Sequence, residues 1–269
     1  MYPFRRPGRS YVIMGQTQDP QKGMPIMNNL QLERFKALKN EITRFIMMYK
    51  FALDEMETKV EILKEEFQLL HEYNPIEHTK SRVKSLESIL NKIVRKGCGT
   101  SLQEIRENIK DIAGLRITCS FLSDIYTVSE MLQKQDDVTV VAIKDYIKNP
   151  KPNGYQSLHM QVKVPVFMSD RTELVDVEIQ IRTIAMDFWA SLEHKIFYKY
   201  DKSVPPHLLQ ELKEAADMAS ELDRKMQRLH EEIKQIKSLQ PSDEPSLIFG
   251  LGNQKFELPP ALMDMLQKE

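Results

Sequence analysis

The segment from Lys144 to His159, KDYIKNPKPNGYQSLH, concentrates side chains able to handle a nucleotide. Tyr155 offers an aromatic face on which a base can stack, while Lys151 and His159 offer donors to phosphate or sugar. Asn153-Gly154 between apolar runs signals a tight turn that lets the backbone approach a ligand, and Pro150 and Pro152 exclude both a helix and a central strand. The segment therefore reads as a loop. A polar surface turn carries the same composition, so the loop gains weight only from what the chain places beside it.

Two other constellations could join it. In VDVEIQIRT, residues Asp176, Glu178, Gln180 and Arg182 share one face of a strand, and Val175, Val177, Ile179 and Ile181 share the other. Half-buried sheets show this alternation routinely, yet carboxylates fixed on a strand near cations could hold Mg²⁺, which takes oxygen ligands and keeps waters and substrate phosphates. Asp111, ahead of the first core strand, is the best second ligand, and helix termination is its other reading. In a helix read over residues 82–95, Lys84, Ser88, Lys92 and Arg95 fall within about 80° of arc, opposite Val83, Leu86, Leu90 and Ile93. That row suits a run of phosphates, and it equally describes an amphipathic helix with a solvated basic face.

The elements that would position these groups follow from periodicity. A long helix is expected from Asn28 or Asn29 to about Tyr73, ended by Asn74-Pro75, and Ser101-Leu-Gln-Glu104 opens another with a capping box. A strand at 115–119, a helix from an N-cap at Ser123 to about Gln133, and strands at 138–144, 156–166 and 173–182 make a mixed core. Gly114 and Gly154 are expected to mark backbone constraints. After Pro205-Pro206, apolar residues from Leu208 to Ile236 alternate spacings of four and three, a heptad seam that must bury against the N-terminal helix or another subunit. The expected organisation is a disordered extension over 1–27, a domain over 28–238 with long helix 30–73, core 80–200 and heptad helix 206–238, and a tail over 239–269 without interpretable pattern.

With 269 residues and 41% hydrophobic content the chain can bury a core, and no apolar run approaches a membrane span. A net charge of −1 argues against nucleic-acid binding through the overall field while leaving local basic patches free to act. Two cysteines make no disulfide framework or metal spacing, and with no secretory h-region the cytoplasm is the expected compartment.

The motifs DIAGLRI, KDYIKNPKPNGYQSLH, VEIQIRTIAMDFWASLEHK and NPIEHTKSRVKSLESI resemble the synthetase domain of the RelA/SpoT alarmone enzymes, and particularly the RelP-like small alarmone synthetases, over roughly residues 30–235. The resemblance implies an α+β fold with a mixed, nucleotidyltransferase-like sheet. It implies transfer of the β,γ-pyrophosphate of ATP to the 3′-hydroxyl of GTP or GDP, giving pppGpp or ppGpp and AMP, with Mg²⁺ as cofactor. Carried over by position, Arg82, Lys84, Ser88, Lys92, Arg95 and Arg116 would hold ATP, and Asp111 and Glu178 would hold Mg²⁺, with Glu178 helping to deprotonate the acceptor. Tyr155 would stack on guanine, Lys151, His159 and Gln180 would position the acceptor, and Asp187 would read the base edge. No His-Asp dipeptide occurs, so synthesis without hydrolysis is expected. A homotetramer through the terminal helices is implied as well, and the departure of His78-Thr-Lys-Ser81 from the RelQ pattern argues against product activation. A nucleotide- or RNA-binding regulator without turnover is the alternative on the same fold.

Overall fold

The computed structural model describes residues 28–71, 73–197 and 204–239, and the backbone of 248–251 and 254–257. The extension expected over residues 1–27 lies outside the described residues. Two compact units divide at Ile42/Thr43. The described part of the first is the opening of helix α1 (Asn29–Leu70), where the Asn28 side chain accepts from the Gln31 amide at 2.8 Å and the Gln31 side chain accepts from the Asn28 amide at 3.0 Å. That reciprocal pair satisfies donors that a helix start leaves bare.

In the second unit the remainder of α1 leads to β1 (Ile76–Val83), α2 (Leu86–Lys96), α3 (Leu102–Asn108), β2 (Ala113–Cys119) and α4 (Leu122–Gln133). Then come β3 (Thr139–Asp145), β4 (Leu158–Phe167), β5 (Thr172–Thr183), α5 (Ile184–Phe197) and α6 (Pro206–Leu239). Five strands form one mixed sheet in the order β1-β2-β5-β4-β3, with β2 and β5 parallel and the other neighbours antiparallel. The fold is α+β, as the sequence implies. A hairpin of β6 (Ile248–Leu251) and β7 (Gln254–Glu257) stands in the tail, where no pattern was read.

The register separates the sheet into an apolar and a polar face. Leu115, Ile179 and Met160 are cross-strand partners, as are Ile117, Ile181 and Leu158, and all six are buried. They share one core with Tyr49, Met56 and Val60 of α1 and Ile125, Val128 and Leu132 of α4, each fully buried aliphatic side chain contributing roughly 1.5–3 kcal/mol. The opposite face carries two rows: Lys80, Arg116, Gln180, His159 and Lys144 across all five strands, and Arg82, Gly114, Glu178 and Gln161 beside it.

Several expectations change. Residues 76–83 are an edge strand, so Arg82 belongs to β1 rather than to the helix read over 82–95, and His78-Thr-Lys-Ser81 lies in the same strand. α2 starts four residues later than read, capped by Ser85, whose hydroxyl accepts from the Ser88 amide at 3.2 Å. Its buried face is Ile89 and Ile93, while Leu86 and Leu90, expected in the core, are exposed. α4 is not capped by Ser123: the Asp124 carboxylate accepts from the Phe121 amide at 2.9 Å, and Ser123 instead meets Gln227 of α6. The capping box at Ser101 and Glu104 stands as read.

Candidate active site

β4 and β5 bring the predicted residues together by register alone. Glu178 and Gln180 project from alternate rows of the polar face, with Gln180 opposite Arg116 on one side and His159 on the other. A cavity of about 390 Å³ opens over them, and Lys92, Asp111, Lys151, His159 and Glu178 all line it. Of thirteen lining residues, Lys96, Lys110, Lys144 and Tyr146 also belong to it and escaped the sequence reading. Lys144 is legible in hindsight, because it pairs with His159 across β3 and β4.

Asp111 is held by two ammonium groups. Lys84 reaches its Oδ2 at 2.7 Å from the turn before α2, and Lys92 reaches the same oxygen at 2.5 Å from the second turn of that helix. Burial pushes this carboxyl up, but the hydrogen bonds and charges of Lys84 and Lys92 outweigh it and hold the group below the usual carboxylate range. Its Oδ1 is buried without a hydrogen-bond partner. Glu178 behaves similarly: burial raises it, the neighbouring His159 imidazole and the Gln180 amide lower it more, and the net shift is downward. Gln180 donates to Glu178 Oε2 at 2.8 Å, and His159 Nδ1 stands 3.7 Å from Oε1. Asp111 also works against the ionisation of Glu178 by charge repulsion, which places the two acids within electrostatic reach of each other. Two anionic carboxylates in one cation-rich cavity are the arrangement the sequence anticipated.

The loop before β4 is ordered by its own side chains. Asp145 Oδ1 accepts from the Ile147 and Lys148 amides, Gly154 donates to the Lys151 carbonyl at 2.8 Å, and Asn153 Oδ1 accepts from the Tyr155 amide at 3.2 Å. Gly154 has φ +87°, a left-handed conformation that side chains disfavour, and a Cβ there would lie 2.4 Å from Cβ of Ala216. The glycine was expected to admit a nucleotide; instead it admits α6. Gly114 shows no such constraint, since a Cβ there would meet only Arg82 atoms at 3.9 Å. What it leaves is open space in the row between Arg82 and Glu178.

Beside the cavity lies a network that sequence reasoning did not single out. Arg182, 4% exposed, donates to Tyr155 Oη at 2.6 Å, to Gln180 Oε1 at 2.7 Å and to Asp187 Oδ1 at 3.2 Å. Arg116 reaches the same Asp187 oxygen at 3.1 Å. Burial first, then the charge of Arg182, lowers the affinity of Arg116 for its proton, and Arg82 adds to that repulsion. Two guanidiniums thus share one carboxylate, with the charge of a third, Arg82, acting on Arg116, and Nε of both Arg116 and Arg182 is buried without an acceptor. Lys151 Nζ sits 4.6 Å from the Tyr155 ring centroid and 4.8 Å from that of Tyr146.

Eight predicted residues are not in the cavity lining: Lys84 lies behind it on Asp111, Arg116, Tyr155, Gln180 and Asp187 lie in the adjoining network, and three stand apart from both. Arg82, Ser88 and Arg95 are exposed, Ser88 accepting a hydrogen bond from the Ser85 hydroxyl at 2.9 Å. Lys84 and Lys92 turn inward because the buried face of α2 adjoins Lys92, and the cationic row is thereby split between an inner pair and an outer pair.

A mixed sheet with lysines and two anionic carboxylates lining one cavity, and an arginine network beside it, has the donor chemistry of a polyphosphate-binding site. Comparison with known proteins places the chain more narrowly. A sequence profile described as "Region found in RelA / SpoT proteins" matches residues 81–203. GTP pyrophosphokinase YwaC of Bacillus subtilis is 54% identical over 202 residues, which is 75% of this chain and 96% of that one. The crystal structure of small alarmone synthetase 2 from Bacillus subtilis is 55% identical, covering 72% of this chain and 98% of that one with a TM-score of 0.64. Small alarmone synthetase 1 from the same organism, bound to its product pppGpp, is 40% identical with a TM-score of 0.67, covering 72% of this chain and 98% of that one. The chain belongs to the RelA/SpoT family, among the small alarmone synthetases.

Proposed function

We propose that this protein is a Mg²⁺-dependent (p)ppGpp synthetase that transfers the β,γ-pyrophosphate of ATP to the 3′-hydroxyl of GTP or GDP. The observation that carries the reading is the pairing of Asp111 and Glu178 in one cation-rich cavity, with Asp111 Oδ1 buried and unpartnered. An anion binder gains nothing from two carboxylates beside phosphate unless a cation lies between them. Among the described residues no group of three or more His, Cys, Asp or Glu side chains gathers to hold a metal. Two oxygen donors suit Mg²⁺, which keeps waters and substrate phosphates in its remaining positions. Asp111 and Glu178 would hold it, and its charge would offset that of the triphosphate.

In this reading Lys84, Lys92 and Arg116 hold the ATP phosphates, with Arg82, Ser88 and Arg95 on the outer side of α2 and β1. Tyr155 stacks on guanine, which moves Lys151 off the ring and toward the acceptor's phosphates. His159 and Gln180 position the ribose, and Asp187 uses its Oδ2 on the base edge, its Oδ1 being taken by two arginines. Glu178 accepts the 3′-hydroxyl proton as the ribose oxygen attacks the β-phosphorus, the bond from that phosphorus to the α,β-bridging oxygen breaks, and AMP leaves. Positioning and charge neutralisation suffice for such a transfer. The protein works without hydrolase activity, in the cytoplasm, as a homotetramer assembled through its terminal helices.

Purified protein incubated with ATP, GTP and Mg²⁺ is expected to release AMP and form pppGpp, resolved by anion-exchange chromatography. Glu178→Gln is expected to lower that rate by about 10²-fold or more. Undiminished turnover in the variant removes Glu178 from the mechanism, and absence of AMP with wild-type protein favours a nucleotide-binding regulator.

A further inference from the structure

We infer that Arg182 is a positioning residue that orients the groups around the carboxylate Glu178 through two arms of fixed direction, one hydrogen-bonded through Gln180 and one that runs through the guanine platform Tyr155 to His159, whose ring faces Glu178. The inference rests on the roles proposed above for Tyr155 and Glu178. A guanidinium only donates and an ionised carboxylate only accepts, so the two ends of each arm set the sense of everything between them.

In the first arm, Arg182 Nη2 donates to Tyr155 Oη at 2.6 Å, which leaves the phenolic proton for His159 Nε2 at 2.8 Å. His159 Nε2 is then the acceptor, and the ring carries its proton on Nδ1, the atom that faces Glu178 Oε1 at 3.7 Å. In the second arm, the same Nη2 donates to Gln180 Oε1 at 2.7 Å, which turns the Gln180 amide nitrogen toward Glu178 Oε2 at 2.8 Å. Both oxygens of Glu178 thus face N–H groups whose orientation originates at one buried nitrogen. Arg182 is itself fixed by Asp187 through Nη1 at 3.2 Å. A lysine keeps the charge at this position, but its single ammonium lacks the planar fork that serves three acceptors at once.

The inference predicts that the empty enzyme already holds His159 as the Nδ1–H tautomer. In full-length protein labelled with ¹⁵N-histidine, the His159 ring resonances are expected to report that tautomer without substrate, and to lose it in both Arg182→Lys and Tyr155→Phe. In steady-state assays, Arg182→Lys is expected to raise the KM for GTP and to lower kcat by about tenfold each, with the KM for ATP within about twofold of wild type. Tyr155→Phe keeps the stacking ring and deletes only the hydroxyl, so it is expected to lower kcat while the GTP KM stays within about twofold. Equal changes in the two KM values for Arg182→Lys, or imidazole signals unchanged in both variants, overturn the inference. Should Arg182→Lys fail to fold, as judged by its melting curve, Tyr155→Phe decides. Should the wild type make no AMP, the activity reading fails, and the imidazole spectrum still decides whether Arg182 directs the arms.

Discussion

At the level of single residues the site is a problem of like charges held close. Arg116 and Arg182 share one Asp187, Lys84 and Lys92 converge on one oxygen of Asp111, and Lys151 lies against two tyrosine rings. A polyanion bound beside these groups would relieve the repulsions, and the Nε atoms of Arg116 and Arg182 are already desolvated and unpartnered. With the role proposed for it, Tyr155 is expected to separate the two substrates energetically. Its ring is expected to stack on the acceptor base and to touch no part of ATP, so Tyr155→Ala removes stacking valued at about 1–3 kcal/mol. The expected outcome is a GTP KM raised roughly 5- to 150-fold with the ATP KM nearly unchanged, read from initial AMP rates with each nucleotide varied in turn. Parallel rises in both constants refute the assignment. Residue types in the loop and in the strand pattern of β5 were enough to nominate Tyr155, His159, Glu178 and Gln180, because a strand's alternation fixes which side chains share a face. Arg182 was read onto that same face and given no role. Nothing local distinguishes a guanidinium buried at 4% exposure from one reaching into solvent; its burial depends on Tyr155 and α5, which no sequence pattern places over it.

At the level of elements, legibility followed the apolar periodicity. β2, β4 and β5 alternate strongly and were found; β1 carries apolar residues only at Ile76 and Val83, because an edge strand has little buried face to advertise. Missing it moved the start of α2 by four residues and put Leu86 and Leu90 on the expected core stripe beside Ile93, where the buried partner of Ile93 is Ile89. The error mattered to the site, for with the correct phase Lys92 adjoins the buried face and reaches Asp111. A second buried contact was invisible in sequence: Asp223 of α6 accepts from Thr183 Oγ1 at 2.6 Å, at the junction of β5 and α5 where Thr183 also accepts from the Met186 amide. Burial pushes the Asp223 carboxyl up to about 6, against the lowering effects of the Thr183 hydrogen bond and the Arg224 charge. A carboxyl raised above its unfolded value of about 3.9 lends stability that is complete below that value and lost as pH rises through the folded one. Asp223→Asn imitates the neutral form at every pH. Melting curves are expected to match wild type at pH 4 and to show the variant more stable by about 1 kcal/mol at pH 7.5, a discounted share of the full shift because solvent reaches part of the group. A variant less stable at pH 7.5 would mean that the charged hydrogen bond outweighs the cost of burial.

At the level of the whole molecule, the unanswered demand is α6. The helix docks on its own chain through Ala216, Ser220 and Asp223, with Trp189 Nε1 donating to the Leu212 carbonyl at 3.0 Å, and the seam residues Leu212 and Ala219 pack into the same contact, so the first half of the seam is partly used within the chain. From Leu222 onward the seam stays open: Leu222, Met226, Leu229, Ile233 and Ile236 are each 44–54% exposed, at spacings of four, three, four and three. Phe35 and Leu38 near the start of α1 are likewise about half exposed, at 55% and 52%. Contiguous apolar rows of this length are rare on a monomer, since the water they order gives back free energy when a second apolar surface covers them. A heptad repeat is shaped to receive another helix by knobs-into-holes packing, which favours a further copy of the chain over an irregular partner. Placing a charge at two seam positions separates this assembly from the catalytic machinery, because neither Met226 nor Ile233 lines the cavity. In light scattering after size-exclusion chromatography, wild-type protein is expected to elute with the mass of four chains and Met226→Glu/Ile233→Glu with that of fewer. Far-UV circular dichroism is expected to fall in the variant, because a helix end without its partner frays. A wild-type mass of one chain, or a variant that keeps all four, rules out the seam as the assembly surface.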